Sequence, residues 1–275
     1  SIYTMTIDEW QKSAHQKLLN SGIESAILDS WLLLEHRFKA DRSWLIAHSE
    51  HHLSQKQLNS LDQNLEKRAR RTPLAYITNK AWFYGRDFYV DAHVLIPRPE
   101  SEDMINLAKE LAAKSRNIVD VGTGSGCLAV TLALELPNSR VVAVDVEQSA
   151  LGVARKNAYS HGTKVSFKES YLLDEIVENM DLIVANLPYV PNGLITSPEI
   201  EKEPKIALFS GSEGLDLYQS FWAQVGSKFS SSPAPLIITE SLLSQHNEMI
   251  ALAASVNYHL LKTAGLAQAW LRNEP

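Results

Sequence analysis

From Met5 to about residue 70, apolar positions recur every three to four residues. Ile27, Trp31, Leu34 and Phe38 form one such series, and Leu53, Leu58, Leu61 and Leu65 another. This period predicts helices with one buried stripe. The stretch has no proline and one glycine, Gly22, which marks a break between two helices. Ser43 and Ser54 are expected as N-caps. Residues 1–75 are therefore expected to form a small all-helical domain. The run Lys67-Arg68-Ala69-Arg70-Arg71 closes it. Cations there complement a helix C-terminus, or alternatively offer a surface to an acidic partner.

Residues 76–96 change texture. Tyr76-Ile77, Trp82-Phe83-Tyr84, Phe88-Tyr89-Val90 and Val94-Leu95-Ile96 read as β-type runs, with Gly85-Arg86-Asp87 between two of them. A β-hairpin linker is expected. Pro97-Arg98-Pro99 then interrupts regular structure. From about residue 100, apolar runs alternate with helical periods. Strands are expected at 117–121, 140–145, 163–168, 181–186, 235–240, 256–263 and 267–272, and helices at 101–114, 125–136, 148–160, 214–229 and 243–255. Such alternation implies an α/β domain over 97–275, with a mostly parallel sheet covered on both faces. The last two strands, around Ala264-Gly265-Leu266, are expected as an antiparallel pair at the sheet edge.

Composition narrows the class. Hydrophobic residues are 45% and charged residues 21% of 275, which suits a chain with a real core and excludes disordered and collagen-like chains. No apolar run is long enough to span a bilayer, and the N-terminus lacks a signal-peptide pattern. Met5 is a candidate natural start. One cysteine, Cys127, excludes an intrachain disulfide framework and is compatible with a reducing cytosol. Cys127 itself reads as a small packing residue. A net charge of −6 argues against broad nucleic-acid binding. The histidines are scattered, and no metal site is expected.

The strongest motif is Val119-Asp120-Val121-Gly122-Thr123-Gly124-Ser125-Gly126-Cys127, at the end of the first strand of the α/β domain. Glycines let a chain turn tightly and a ligand approach its backbone. Counted from Gly122, the third glycine of a dinucleotide fingerprint would fall on Cys127, so that match fails, and the Gly-Lys-Ser/Thr of a phosphate-binding loop is absent. Asp145 lies 19 residues beyond Gly126, at the end of the second strand. A carboxylate there can accept hydrogen bonds from both hydroxyls of a ribose. The combination suits a nucleoside ligand without phosphate, a description that S-adenosyl-L-methionine fits.

Asn186-Leu187-Pro188-Tyr189 ends the fourth strand. It resembles the Asn-Pro-Pro-Tyr motif of methyltransferases that modify a nitrogen in a flat, conjugated group. The Asn186 oxygen and a following backbone carbonyl can accept both N–H bonds of an NH2 group and aim its nitrogen. Tyr189 can pack on the planar amide, and Pro188 stiffens the loop. Such positioning can supply roughly 7–11 kcal/mol of rate enhancement.

Along nearly its whole length the chain resembles the protein-(glutamine-N5) methyltransferases of class 1 peptide chain release factors. The resemblance rests on the two motifs, on Arg71-Thr72-Pro73-Leu74-Ala75-Tyr76-Ile77, and on Leu95-Ile96-Pro97-Arg98-Pro99-Glu100-Ser101-Glu102. Glu203-Pro204, Ala207-Leu208, Gly211, Gly214-Leu215-Asp216, and Thr239-Glu240 with Gln245 also take part. It implies a Rossmann-like class I methyltransferase domain with a seven-stranded mostly parallel sheet. It also implies methyl transfer to the glutamine of a Gly-Gly-Gln motif, modulating translation termination. By this resemblance Gly122, Thr123, Gly124, Ser125, Gly126, Asp145 and Tyr171 would contact the cofactor. Asn186 would face both cofactor and substrate, with Leu187, Pro188 and Tyr189 shaping the glutamine pocket. The implied catalytic set is Asn186, Pro188 and Tyr189. A cytoplasmic monomer acting on a protein, with no direct nucleic-acid contact, is expected.

Leu187 replaces the family's first proline, so a less rigid loop is expected there. Asn-Leu-Pro-Tyr also occurs in ribosomal RNA adenine N6-dimethyltransferases, the alternative reading. Those enzymes carry their extra helices after the methyltransferase domain, whereas here about 100 residues precede it. A non-enzymatic interaction protein with an inactive cofactor fold is a further alternative, against which the intact Gly122, Gly124, Gly126, Asp145 and Asn186 stand.

Overall fold

The computed structural model describes residues 5–230 and 233–273. The four residues before Met5, on which the question of the natural start turns, lie outside them. Two compact units emerge: residues 5–80 with 197–202, and residues 81–196 with 203–273.

The first unit is helical: α1 (Ile7–Asn20), α2 (Ala26–Phe38), α3 (Arg42–Ala47), α4 (Gln55–Ala69) and α5 (Leu74–Thr78). Capping boxes start α1 (Thr6 with Glu9) and α4 (Ser54 with Gln57). Asp41, not Ser43, caps α3 by accepting from the Trp44 amide. The core joins Trp10, Leu18, Leu33, Leu34, Leu45, Leu61 and Leu65. On α2 the buried stripe is Ala26, Ser30, Leu33 and Leu34, while Ile27 is exposed. The basic run is partly internal. Arg68 is buried, with its Nε donating to Asp29 Oδ2 at 2.6 Å, and Arg68 and Arg71 both donate to Glu199 Oε1, at 3.0 and 3.1 Å. Arg71 also holds the carbonyls of Ser21 and Gly22.

The second unit opens with a hairpin, β1 (Ala81–Phe83) and β2 (Arg86–Phe88), whose turn is Tyr84-Gly85. Phe83 and Phe88 are buried in this unit's core. Two expected β-runs are not strands. Tyr76-Ile77 lies in α5, which starts after Pro73 and ends at Asn79 in a left-handed conformation. Val94-Leu95-Ile96 lies outside the described strands, and its Ile96 N–H donates to the Glu203 carboxylate.

The remaining elements are α6 (Glu102–Leu111), β3 (Asn117–Val121), α7 (Cys127–Glu135), β4 (Arg140–Asp145), α8 (Gln148–Ser160), β5 (Val165–Glu169), β6 (Leu182–Ala185), α9 (Asp216–Lys228), β7 (Leu236–Glu240), α10 (His246–Ala254), β8 (Tyr258–Ala264) and β9 (Ala267–Arg272). The seven-stranded sheet runs β5-β4-β3-β6-β7-β9-β8. It is parallel except for β9, which is antiparallel to both β7 and β8. This is a Rossmann-like class I methyltransferase fold. Val, Ile, Leu and Ala fill β3, β4 and β6, and their near-continuous burial reflects cover on both faces. From β3 the chain crosses to β4 on one side, and β6 leads to β7 on the other. The carboxyl ends of β3 and β6 therefore flank the switch point, where ligands bind in such sheets. No helix among the described residues is long and apolar enough to cross a membrane.

Candidate active site

The glycine loop leaves β3 with Gly122, Gly124 and Gly126 all at positive φ, 71°, 53° and 80°. Four of its backbone donors are satisfied within the turn and by the neighbouring strand. Gly122 and Thr123 N–H both donate to the Val144 carbonyl at 2.9 Å, and Gly126 N–H donates to the Thr123 carbonyl at 2.8 Å. Gly124 N–H donates to Asp145 Oδ2 at 2.9 Å, while Glu147 N–H reaches Oδ1 at 3.0 Å. The loop is thus preformed and tied to Asp145. Burial pushes the Asp145 carboxyl upward, and these two N–H donors pull it back. A carboxylate offers about four lone-pair sites, so capacity for further donors remains.

Under the loop, Asp120 is fully buried and accepts from Thr123 Oγ1 at 2.6 Å. Burial pushes its carboxyl up to about 7, against the pull of the Thr123 hydroxyl and with repulsion from Asp145 adding to it. Burial also pushes the Cys127 thiol up to about 12, which leaves it no nucleophile near neutrality.

The second loop follows β6. Asn186 Nδ2 donates to Ser101 Oγ at 2.9 Å and to Glu240 Oε1 at 3.2 Å. Both amide protons are engaged, and Oδ1 takes no hydrogen bond from the described residues. Tyr189 Oη donates to the same Glu240 oxygen at 2.9 Å. Desolvation and this carboxylate push the Tyr189 hydroxyl well above its ordinary range. The Tyr189 carbonyl accepts from Gln245 Nε2 at 2.8 Å. Gly214 passes so close that a Cβ on it would lie 2.2 Å from that carbonyl.

Leu187 is not the weak point expected from its lack of a proline ring. It is buried, and its N–H donates to the Tyr218 hydroxyl at 3.3 Å, a bond proline has no hydrogen to make. Tyr218 is itself fully buried and donates to the Glu240 carbonyl at 2.6 Å, with the Ala185 carbonyl 2.9 Å away.

The two loops share one cavity of about 260 Å³. Gly122, Thr123, Gly124, Ser125, Asp145, Tyr171, Asn186, Leu187 and Pro188 all line it. Gly126 and Tyr189 do not. Gly126 begins α7 against α8, where a Cβ would come within 2.9 Å of Ala154 Cβ. Tyr189 contributes through Glu240.

Sequence reasoning assigned no role to Ser101, Glu240, Tyr218 or Gln245, nor to Arg98. Arg98 lines the cavity and donates to the buried Glu203 carboxylate at 2.6 Å. The Pro97–Glu102 and Thr239–Gln245 stretches were the available signal. They stood out by resemblance, without a contact to explain them.

Comparison with known proteins gives two family matches: PrmC N-terminal domain over residues 9–78 and methyltransferase small domain over residues 104–203. The second spans both loops. The release factor glutamine methyltransferase of Koribacter versatilis is 37% identical over 80% of this chain and 81% of the relative. That of Chlorobaculum tepidum is 40% identical over 72% of this chain and 73% of its own length. Among solved structures, a methyltransferase from Pyrococcus furiosus aligns with a TM-score of 0.51 at 15% identity, covering 79% of this chain and 97% of that one. This last likeness concerns the fold alone.

Proposed function

Since the chain belongs to the release factor glutamine methyltransferase family, we propose that it transfers a methyl group from S-adenosyl-L-methionine to the side-chain amide nitrogen of the glutamine in the Gly-Gly-Gln motif of class 1 release factors. The observation that carries this reading is the Asn186 amide. Its Nδ2 protons are engaged by Ser101 and Glu240, which leaves Oδ1 as an acceptor in a residue that lines the cavity. An acceptor there suits an incoming NH2 group, and a donor would repel it.

The cavity residues fit the cofactor. Asp145 retains acceptor capacity for ribose hydroxyls, and a Cβ at Gly124 would meet nothing within 4 Å, so the backbone is open to a ligand there. When bound, the cofactor supplies an electrophilic methyl on a sulfonium. The chain's part is to aim the amide nitrogen. Asn186 Oδ1 and the Leu187 carbonyl would accept its two N–H bonds, drawing its lone pair out of conjugation. Taking up that methyl would cost the nitrogen, held by Asn186 and the Leu187 carbonyl, one of its two protons, which would leave to water. No strong base is needed, and rate comes from alignment and fixed dipoles. Tyr171 lines the same cavity, half exposed, where an adenine face could lie. The match of residues 9–78 to the PrmC N-terminal domain supports a protein substrate over ribosomal RNA. The helical unit is then the candidate docking element, and a cytoplasmic location follows from the substrate.

The test is mass spectrometry of a class 1 release factor after incubation with enzyme and cofactor. One added methyl on the Gly-Gly-Gln peptide is expected. An unmodified peptide alongside methylated ribosomal RNA would overturn the reading.

A further inference from the structure

Glu240 is the last residue of β7, fully buried, and 54 residues from Asn186 in the chain. Its Oε1 accepts from both Asn186 Nδ2 and Tyr189 Oη, and its Oε2 has no hydrogen-bond partner. Its backbone is fixed by pairing with Ala267 on β9 and by the Tyr218 hydroxyl at its carbonyl. An asparagine amide can sit in two flipped orientations of nearly equal shape, one presenting Oδ1 and the other Nδ2. Ser101 alone does not choose between them, because a hydroxyl both donates and accepts, but with its proton turned to the Glu240 carboxylate it can only accept from Asn186. Oε1 of a carboxylate only accepts, and it rejects the flipped amide, whose Oδ1 would face it across 3.2 Å. Burial pushes this carboxyl upward, and the hydrogen bonds from Ser101, Tyr189 and Asn186 pull it back.

We infer that Glu240 is a positioning residue that selects the amide orientation of Asn186 and, through the same oxygen, pins Tyr189, so that the site presents an acceptor to a planar NH2 substrate. This rests on the function proposed above and goes beyond it by assigning a residue that touches neither ligand. The requirement is reach: an acceptor oxygen at this point, whether charged or not.

Two variants separate reach from charge. Glu240→Gln keeps an oxygen in place without the charge, and Tyr189 Oη favours that oxygen over the amide nitrogen. Glu240→Asp keeps the charge but withdraws the oxygen. Expected for Asp is a fall in kcat of about tenfold or more on the release factor substrate, and for Gln a fall within about threefold, both with cofactor Kd little changed. An active Asp variant with an inactive Gln variant, two inactive variants, or two fully active ones would each overturn the inference. So would a loss of cofactor affinity as large as the loss of kcat. A second readout needs no substrate: hydrogen exchange of the Asn186 side-chain amide by NMR. Slow exchange is expected in wild type and Gln, and fast exchange in Asp. If wild type methylates no release factor while the exchange pattern holds, the substrate assignment fails and the role of Glu240 stands. If methylation proceeds and exchange is the same in all three proteins, the role of Glu240 fails alone.

Discussion

The two loops that meet at the switch point are built in opposite ways. The glycine loop is held mainly from its own turn and the adjoining strand, as with Thr123 to Asp120, Gly122 to Val144 and Gly124 to Asp145, and its farthest support, Asn157 on the Ser125 carbonyl, is 32 residues away. The loop after β6 is held by remote elements. Ser101 is 85 residues from Asn186, Glu240 is 51 from Tyr189, Gln245 is 56 from Tyr189, and Tyr218 is 31 from Leu187. On the proposed function, the cofactor pocket is set by one short segment, a strand end and one side chain of α8. Aiming a poor nucleophile takes several elements closing on one side chain.

This contrast predicts a split between binding and turnover. The largest effect is expected at Asn186→Ala: methylation should fall by about 10²–10³-fold, the scale of losing a preorganised polar group at a reacting centre. Cofactor affinity should stay nearly level in calorimetry. A comparable loss of both would mean that the two loops do not divide their tasks. Asp145→Ala should do the reverse. Loss of charge-assisted hydrogen bonds should weaken cofactor binding by roughly 10- to 100-fold, with kcat largely recovered at saturation. Unchanged affinity would remove Asp145 from the ribose assignment.

Tyr218→Phe probes the remote support. It leaves the Leu187 N–H and the Glu240 carbonyl without their buried partner, so a loss of about 1–3 kcal/mol in denaturant unfolding is expected. Turnover should fall more than cofactor affinity.

The smallest effect concerns pH. Asp120 has its carboxyl raised from 3.8 to about 7 in the fold, facing Thr123 and repelled by Asp145. The folded state therefore holds a proton that the unfolded chain releases between those values, so stability declines as pH rises through that window and levels off above it. Asp120→Asn should flatten this slope in thermal melts taken across the same range. An unaltered slope would assign the pH dependence to other groups.

How much of this was legible in the sequence follows the same division. The βα alternation, the sheet and the glycine loop with Asp145 were readable, because period and spacing are local properties. The hairpin was readable too, though its turn is Tyr84-Gly85. Tyr76-Ile77 and Val94-Leu95-Ile96 looked like strands because β-branched and aromatic residues fit a pleated surface. Whether a partner strand exists is a tertiary fact, and here α5 and the Glu203 carboxylate claim those segments. Arg68 read as part of a charged helix end, yet it is buried against Asp29, 39 residues away. Ser101 and Glu240 carried no readable role, since a serine before a helix and an acid ending a strand are common features. Only the fold brings both to one amide.

The bond from the Leu187 amide to Tyr218 carries an evolutionary consequence. A proline at 187 would delete this donor, yet the Tyr218 hydroxyl would keep its bonds to the Glu240 backbone, so the exchange removes one link without stranding the group. The two sites should therefore show epistasis: once Tyr218→Phe has removed the shared hydroxyl, a proline at 187 has no bond left to break, so the double exchange should cost less than the sum of the two single ones.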